Sequence, residues 1–444
     1  MLKRNINLVF STNAVLLLLG LLMALCAPCA ACSRGRNCGF VPSANPAAPA
    51  IPEGLGVNIH FTDPAPGEMK MLAAAGFRWV RMDLKWDLTE PAKDQYDFAP
   101  YDRLLAELKP FGIRVLFILD YGNPLYGGAP PRTEAGRQAF ARWAVAAAKH
   151  FAGLGVIWET YNEPNHPQFW PPRPNAGDYV ALALTVARAF REAVPTEKLI
   201  GPATSGIDFD FLEACFKGGL LEYWSAVSVH PYLRGDPENA ALEYCRLRQM
   251  IETYTPVRTG SGSDRVTTKK QIPIISGEWG YSSVWPGLND ERQGQLLARS
   301  WLTNATNDIP LSIWYDWHDD GLDKADPEHH FGTVANAYYE NRETVYDTKP
   351  AYLAARTLTT FFAGYRFEKR LEVGAAEDYL LMFRKGNDVR VAAWTTETRV
   401  HKVVVPLKAG QYISVRHTGE NIGVVTSGRN GVTVTLTTAP VYFR

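Results

Sequence analysis

The sequence has no excess of charge of either sign. Its 444 residues include 46 Lys and Arg and 46 Asp and Glu, so the formal net charge is zero. Proteins that bind nucleic acid or an anionic membrane surface usually present a basic face to their partner. The balance of charge therefore disfavours both kinds of partner.

Cysteine is scarce, and the region expected to fold contains no Cys-x-x-Cys pair. Three of the six cysteines lie in the first 32 residues, which leaves Cys38, Cys215 and Cys245. A thiolate metal site is not expected from this spacing, and neither a metal nor a cofactor is predicted. In an oxidising compartment Cys215 and Cys245 could form a disulfide, although the sequence does not show how far apart they lie.

A long apolar stretch occurs only near the N-terminus. Lys3 and Arg4 precede the run "VLLLLGLLMALCA", and the small residues of "APCAAC" follow it. This order is typical of a secretory signal, predicted over residues 1–31; an uncleaved anchor and lipoprotein-type cleavage before Cys32 are the alternatives. We expect a secreted, periplasmic or cell-surface protein, attached to a membrane through its N-terminus if at all. The Pro- and Ala-rich residues 32–53 are predicted to be a linker.

Strand-like and helical patterns then alternate over about 300 residues. Strand-like segments such as "FRWVRMDLKW", "IRVLFILDYG" and "IPIISGEWG" are each followed by a helical pattern, and eight such units can be counted. Eight strand–helix units in strict order are typical of an α/β fold, the (β/α)8 barrel. We predict this barrel over residues 54–364.

The last 80 residues have a different pattern. Short strand-like runs such as "HKVVVPL", "YISVRH" and "VYFR" follow one another, with hairpins expected around Lys385–Asp388 and Arg429–Gly431. This pattern predicts a small antiparallel β-sandwich domain over residues 365–444. It contains no cluster of titratable groups, so we expect a packing partner of the barrel or an auxiliary ligand-binding module.

Two glutamates stand where predicted barrel strands end. Glu163 follows the fourth strand in "WETYNEP", and Glu278 follows the seventh in "ISGEWG". Strand alternation is expected to place Ile157, Glu159, Tyr161 and Glu163 on one face, and Ile274, Ser276 and Glu278 on one face. Because catalytic groups of such barrels gather at the carboxyl ends of the strands, the two carboxylates should meet at the mouth. Paired carboxylates that flank a sugar bond are the apparatus of glycoside hydrolysis.

These motifs resemble those of the large clan of retaining (β/α)8 glycoside hydrolases, and most closely its family 39-like and family 5-like members, including bacterial exopolysaccharide hydrolases. The resemblance covers roughly residues 54–364. It implies that Glu163 is the acid/base and Glu278 the nucleophile. Asn162 in "NEP", His230 and Tyr232 in "HPY", and Arg81 after the second strand match residues that bind the sugar or hold the nucleophile ionised. The histidine that family 5 carries after strand three is absent, since "LDYGNP" stands there, and this leaves the substrate open.

Physical chemistry gives these residues matching roles. Arg81 is always charged and would lower the pKa of Glu278, while aromatic neighbours are expected to desolvate Glu163 and raise its pKa. Arg81 could instead pair only with Glu159 or Asp83 as a buried structural cation. Glu159 lies deeper along its strand and is expected to be structural.

Further substrate-binding residues are expected around the mouth. His60 ends the first strand, and Trp314 or Trp317 in the eighth strand matches the aromatic floor of the sugar site. Trp170, Tyr281 and Trp285 follow the two glutamates and would either stack on sugar rings or pack within loops. The loop "HDDGLDKADPEHHFG" fits no metal motif, and His318, Asp319 and Asp320 are expected to bond sugar hydroxyls.

The sequence thus predicts an exported retaining hydrolase that cleaves β-glycosidic bonds of a polysaccharide or oligosaccharide. Cleavage within chains is favoured over cleavage at their ends, and no cofactor is expected. The alternatives are a non-catalytic carbohydrate-binding barrel and a transglycosylase that uses the same site. The oligomeric state, the sugar and the linkage stay open.

Overall fold

The computed structural model describes residues 49–233, 235–259 and 267–444. The predicted signal segment and most of the predicted linker lie outside these residues. The last residues of that predicted linker are integrated into the fold, because Ile51 is buried and its backbone N–H donates to the carbonyl of Tyr365 at 2.9 Å. Within the described residues, no helix combines the length and the apolar character that crossing a membrane requires.

Eight parallel strands close into a barrel, which confirms the predicted fold. They are β1 (Leu55–Asn58), β2 (Trp79–Lys85), β3 (Arg114–Asp120), β4 (Ile157–Thr160), β5 (Lys198–Ser205), β6 (Val227–His230), β9 (Ile274–Trp279) and β10 (Ser312–Trp314). The antiparallel pair β7 (Val257–Thr259) and β8 (Thr267–Lys269) precedes β9 outside the barrel. Around the barrel the strand order is β1-β10-β9-β6-β5-β4-β3-β2.

Helices cover the outside of the barrel. They are α1 (Glu68–Ala74), α2 (Trp86–Thr89), α3 (Ala99–Leu108), α4 (Glu134–His150), α5 (Ala176–Ala193), α6 (Phe209–Lys217), α7 (Ala240–Tyr254), α8 (Asp290–Thr306) and α9 (Pro350–Phe361). Several begin at the expected capping residues, as at Asn175, whose side chain accepts from the backbone N–H of Asp178 and satisfies a free donor of α5. A β-hairpin of β11 (Val334–Tyr338) and β12 (Tyr346–Thr348) precedes α9.

Two apolar layers result from strand alternation. The barrel interior is filled by side chains that point inward from successive strands, namely Trp79, Leu116, Ile118, Ile157, Ile200, Ala226, Ile275, Leu311 and Ile313. The intervening residues point outward and pack against the helices, as Val80, Phe117 and Trp158 do. This closed interior leaves the carboxyl ends of the strands as the place where polar side chains can converge.

The C-terminal strands form the predicted β-sandwich. One sheet has the order β13-β14-β15-β20-β17-β18 and faces the pair β16-β19. The strands are β13 (Arg366–Arg370), β14 (Asp378–Lys385), β15 (Asp388–Thr395), β16 (His401–Val405), β17 (Gly410–Arg416), β18 (Asn421–Ser427), β19 (Val432–Leu436) and β20 (Val441–Phe443). The hairpin at Lys385–Asp388 is present. The hairpin turn at Arg429–Gly431 is also present, because Gly428 and Gly431 form an antiparallel bridge with two backbone hydrogen bonds. Beyond this bridge the two strands belong to different sheets, since β18 pairs with β17 while β19 pairs with β16.

The sandwich packs directly on the barrel, and both belong to one compact unit. Phe383 and Tyr442 contact Phe362, which follows α9, with ring centroids 4.6 and 5.1 Å apart. Trp394 donates its indole N–H to Glu238, which also receives two hydrogen bonds from the guanidinium of Arg299. These contacts favour the packing role over the auxiliary binding role for this domain.

A disulfide between Cys215 and Cys245 does not form. Cys215 is a free thiol that lies fully buried on α6. Burial raises the pKa of this thiol well above its ordinary value, because a thiolate would be poorly solvated there. The pairing that the sequence left open is therefore wrong.

Candidate active site

The structure brings Glu163 and Glu278 together at the carboxyl end of the barrel. One oxygen of each carboxyl group and one ring nitrogen of His230 all lie within 4.8 Å of one another. Both glutamates are more than nine-tenths buried. Two acids 115 positions apart in the sequence thus share one partly desolvated site.

Glu163 reaches the mouth by a route that strand alternation does not predict. The strand β4 ends at Thr160, and the next residues adopt left-handed backbone conformations, with φ of 69° at Tyr161 and 42° at Glu163. Such values are uncommon for residues other than glycine and concentrate at functional sites. As a result Tyr161 points outward and packs on Trp170, with ring centroids 4.9 Å apart, so the predicted common face of Tyr161 and Glu163 is wrong.

The predicted face of β9 is also wrong. Ile275 fills the barrel interior, whereas Ile274 packs in the outer layer. The register between β9 and β10 shifts between Ser276 and Trp279, which is a β-bulge or a similar irregularity. Because an extra residue reverses the alternation, Glu278 can face the mouth on a strand where Ile275 also faces inward.

Arg81 is the electrostatic centre of the site. Its guanidinium donates to Glu159 at 2.7 Å, to Glu278 at 2.7 Å, to Asn162 at 2.7 Å and to Asn58 at 3.3 Å. The side chain is only 1% exposed, so these bonds replace water around a fully buried cation. Arg81 therefore does not pair only with Glu159 or Asp83, because one guanidinium holds both the deeper Glu159 and the mouth residue Glu278.

Glu278 also accepts a hydrogen bond from the hydroxyl of Tyr232 at 2.7 Å. Burial, followed by the charge of Glu278, raises the pKa of Tyr232 well above its ordinary value, so its hydroxyl stays a donor. Arg81 therefore binds one oxygen of the Glu278 carboxyl group and Tyr232 binds the other, which fixes its orientation.

Glu163 has a histidine partner that the sequence did not reveal. Nδ1 of His230 lies 2.9 Å from a Glu163 oxygen. Burial acts to raise the pKa of Glu163, but the hydrogen bond and the charge of His230 outweigh it, and the pKa is lowered. The expected raised pKa of Glu163 is therefore wrong for the free protein, because His230 ends the neighbouring strand β6 and reaches back to this carboxyl.

Three predicted sugar platforms are part of the core instead. Trp314 and Trp317 are each 1% exposed and Trp170 is 0% exposed, so none offers a ring face to a ligand. The indole N–H of Trp317 donates to Glu68 of α1, which places this ring among the outer helices. Tyr281 is also buried. These side chains point away from the mouth because they lie on the outward-facing side of the chain.

Tyr315 takes the place that the two strand-eight tryptophans were expected to fill. It is half-buried and lies edge-on to His60, with ring centroids 5.5 Å apart, and edge-on to Phe331 at 5.2 Å. Burial, followed by the charges of Asp316 and Glu278, raises the pKa of the Tyr315 hydroxyl above its ordinary value. Trp285 is half-buried against Phe331, and its stacking role stays a prediction.

The loop after β10 divides into a structural and an exposed part. Asp319 is buried, and one of its oxygens accepts from Lys349 at 2.8 Å and from the backbone of Gly332 at 2.9 Å, so its predicted sugar contact is wrong. His318 stacks on Phe61, with ring centroids 6.0 Å apart. Asp320 is half-exposed.

Sequence reasoning missed two buried aspartates next to this site, Asp316 and Asp120. The buried Asp316 lies 3.5 Å from Nε2 of His60. On the other side, Asp120 is fully buried near Asp83, and burial followed by the charge of Asp83 raises the pKa of Asp120 well above its ordinary value. Asp120 ends β3 and Asp316 closely follows β10. A position at or just after a strand end is the sequence signal that could have identified both aspartates.

Comparison with known proteins identifies the family. The family profile described as "Cellulase (glycosyl hydrolase family 5)" matches residues 55–321, more than half of the chain. The chain belongs to this cellulase family. No curated protein sequence matches the chain.

Solved structures share the fold of this cellulase-family chain at low sequence identity. A family 39 glycoside hydrolase from Bacteroides cellulosilyticus WH2 is 22% identical with a TM-score of 0.70, over 88% of this chain and 81% of that one. The GH39 enzyme from Xanthomonas axonopodis pv. citri is 16% identical with a TM-score of 0.62, over 89% and 95%. A GH39 β-xylosidase from Caulobacter crescentus is 16% identical with a TM-score of 0.61, over 89% and 97%. At this identity the solved structures show the shared fold only, so any finer inference about activity must rest on the residues at the barrel mouth.

Proposed function

We propose that the protein is an exported, retaining glycoside hydrolase that cleaves β-glycosidic bonds of a polysaccharide or oligosaccharide by double displacement. The observation that carries this proposal is the approach of the Glu163 and Glu278 carboxyl oxygens to within 4.8 Å. Retaining enzymes hold their two carboxyl groups about 5–5.5 Å apart, whereas inverting enzymes need about 6.5–9.5 Å to admit a water molecule. The observed spacing supports retention.

In the first step, an oxygen of Glu278 attacks the anomeric carbon and the glycosidic C–O bond breaks. The leaving oxygen takes a proton from the hydrogen-bonded pair of Glu163 and His230, with Glu163 facing the bond. Arg81 and Tyr232 orient the attacking carboxylate through one hydrogen bond to each of its oxygens.

In the second step, water releases the sugar. Formation of the glycosyl ester removes the negative charge of Glu278, and loss of a nearby like charge lowers the pKa of Glu163 further. Glu163 is then suited to take a proton from the water that attacks the anomeric carbon. The free carboxylate of Glu278 returns, and the configuration of the sugar is retained.

Substitution of the two glutamates tests these roles. We expect Glu278→Gln and Glu163→Ala each to abolish hydrolysis while circular dichroism shows an intact fold. Added azide should then distinguish the two roles. With Glu163→Ala, azide should attack the glycosyl-enzyme and give the β-glycosyl azide. With Glu278→Ala, it should enter from the vacated face and give the α-glycosyl azide. Hydrolysis near the wild-type rate in either glutamate variant would reject the assignment.

Product analysis separates this proposal from its alternatives. Early products of widely distributed size would support cleavage within chains. Polysaccharide binding by calorimetry without new reducing ends would favour a non-catalytic binding barrel, and transfer to an added sugar acceptor would favour a transglycosylase. Export would be supported by recovery of the processed chain outside the cytoplasm.

A further inference from the structure

Residues 161–165, which we call the β4 turn, carry Glu163 on a strained backbone. Glu163 has φ of 42° and Tyr161 has φ of 69°, while Ala203 on the neighbouring strand β5 has φ of 56°. Residues other than glycine rarely adopt these left-handed conformations, which persist only where the surrounding structure holds them. The strained segments touch, because the backbone N–H of Glu163 donates to the carbonyl of Ala203 at 3.0 Å. Further contacts must therefore hold the β4 turn against β5.

The side chain of Asn165 joins the β4 turn to the end of β5. Its Oδ1 accepts from the backbone N–H of Ser205 at 2.8 Å, and its Nδ2 donates to the carbonyl of Ser205 at 2.9 Å. Nδ2 also donates to Oδ2 of Asp208 at 3.2 Å. An amide provides a donor and an acceptor side by side, whereas an ionised carboxylate of the same shape only accepts. Asn165 therefore binds both backbone groups of one residue, which fixes the position of the turn relative to β5.

The partners of Asn165 are themselves held in place. Asp208 is the N-cap of α6 and accepts from that helix with its other oxygen. Ser205 is paired in register with His230 across β5 and β6. His230 in turn lies 2.9 Å from the Glu163 carboxyl group. The bonds of Asn165 thus connect the turn that carries Glu163 to the strand end that lies beside its histidine partner.

The position of the Glu163 carboxyl group depends on these bonds. Only two residues separate Glu163 from Asn165, so loss of the amide would allow the strained φ of Glu163 to relax and the carboxyl group to move. Hydrogen bonds such as that between Glu163 and His230 weaken steeply as their geometry departs from the ideal. Misplacement of a reacting group by about 1 Å costs about a hundredfold in rate.

We propose that Asn165 is a positioning residue for the acid/base Glu163, because its amide holds the strained β4 turn on Ser205 and so keeps the Glu163 carboxyl group at His230 and at the leaving oxygen. This inference rests on the proposed function, which gives Glu163 its acid/base role. Asn165 acts through Glu163 and does not contact the sugar, since both its Nδ2 and its Oδ1 are used within the protein.

Leaving groups that differ in basicity test this role. A 2,4-dinitrophenolate leaves without a proton, whereas the alcohol of a sugar chain needs the proton from Glu163. The substrates are a β-linked oligosaccharide of the sugar that the wild-type protein cleaves best and the dinitrophenyl β-glycoside of the same sugar. We expect Asn165→Ala to lower kcat/KM about a hundredfold on the oligosaccharide and less than about threefold on the dinitrophenyl glycoside. General loss of structure would lower both equally.

The second chemical step gives another readout on the dinitrophenyl glycoside. Here kcat/KM reports formation of the glycosyl-enzyme, while kcat includes its release by water, for which Glu163 acts as the base. In Asn165→Ala we expect kcat and KM to fall together by about tenfold to a hundredfold. Added azide attacks the glycosyl-enzyme without a base and should restore kcat.

Carbon-13 NMR titration of the Glu163 carboxyl group needs no substrate. Burial acts to raise the pKa of Glu163, but the hydrogen bond and the charge of His230 outweigh it and lower the pKa. Asn165→Ala should raise the pKa of Glu163 above its wild-type value, because the displaced carboxyl group loses its hydrogen bond with His230. This measurement tests the positioning of Glu163 independently of hydrolysis.

A matched asparagine serves as the control. Asn175 lies at the other end of the same loop, and its side chain also accepts from a backbone N–H, that of Asp178 at 3.0 Å. Asn175→Ala removes a similar bond and should leave the pKa of Glu163 and the dependence on leaving group unchanged. Asn165→Asp is a second test variant, because it keeps an acceptor for Ser205, loses the donor and places a carboxylate beside Asp208. It should show the same selective loss as Asn165→Ala.

The outcomes separate this inference from the proposed function. Equal loss on both substrates in Asn165→Ala, wild-type kcat/KM on the oligosaccharide, the same selective loss in Asn175→Ala, or failure of both Asn165 variants to fold would each overturn the inference. A wild-type protein that cleaves no glycoside would reject the proposed function instead. The pKa of Glu163 would then decide the positioning alone, since a raised value in Asn165→Ala supports it and an unchanged value overturns it.

Discussion

A single added methyl group at Gly277 should disable the site. Gly277 precedes Glu278 on β9 and has no side chain between this strand and β6. A Cβ built at this position would overlap Ser228 Oγ and lie 3.2 Å from Glu159 Oε1 and 3.5 Å from His230 Cδ2. Ser228 would have to move and Glu159 would have to give slightly beneath the two candidate catalytic glutamates, whereas the distance to His230 is an ordinary contact.

The expected size of the effect follows from these contacts. Overpacking of a tight interior costs about 1–3 kcal/mol, so Gly277→Ala should lower the free energy of unfolding by this amount. The larger effect should be on activity, because misplacement of a reacting group by about 1 Å costs about a hundredfold in rate. Denaturant unfolding and kcat/KM on the best polysaccharide substrate measure the two effects separately.

A second substitution tests whether Ser228 is the obstacle. Ser228 Oγ is buried without a hydrogen-bond partner, so Ser228→Ala alone should leave stability nearly unchanged. Combined with Gly277→Ala, it should recover much of the lost activity, because it removes the overlapping atom. Gly428→Ala is the control, since its Cβ would meet no atom within 4 Å. Wild-type kcat/KM in Gly277→Ala, or no recovery in the double variant, would refute the reasoning.

Two further predictions concern the partner of Glu163 and the assignment of aromatic side chains to the core or to the mouth. His230→Phe should raise the pKa of Glu163, because burial then acts without the opposing hydrogen bond and charge, so that the carboxyl keeps its proton to a higher pH than in the wild type. Carbon-13 NMR titration of labelled glutamate carboxyls checks this shift, and an unchanged or lower pKa would contradict it. Trp317→Phe should lower the free energy of unfolding by about 1–3 kcal/mol, since it leaves Glu68 without its buried donor, with KM unchanged. Tyr315→Ala should raise KM instead. A raised KM in Trp317→Phe together with a loss of stability in Tyr315→Ala would show that the core and mouth assignments are exchanged.

Residue patterns are sufficient to predict the features that depend only on residues near one another in the sequence. The period of the apolar residues predicts the eight barrel strands and the helical segments that follow them, although not the pairs β7–β8 and β11–β12. The count of eight alternating units predicts the barrel, because parallel strands joined by helices close in this way. The sequence also shows where the strands end, and it therefore predicts Glu163, Glu278, Arg81 and His230 as residues of the site. The antiparallel domain was predictable for the same reason, since short alternating strands and turns are local features.

Local irregularities of the backbone explain why predictions of side-chain orientation were wrong. A register shift on β9 and left-handed residues after β4 changed which side chains face inward, and strand alternation carries no sign of either. Because the sequence does not show which residues of the eighth strand face the mouth, Trp314 and Trp317 were predicted there in place of Tyr315. Burial of the three predicted tryptophan platforms likewise depends on helices that pack over them from distant parts of the chain.

The sequence by itself determined the barrel, the strand ends and the two acids, because period and order are properties of neighbouring residues. Only the tertiary structure decided how those acids are charged and what surrounds them. His230 reaches Glu163 across 67 positions, and Arg81 joins Glu278 across 197. Protonation depends on distances of a few ångströms between such groups, and those distances exist only once the barrel has closed.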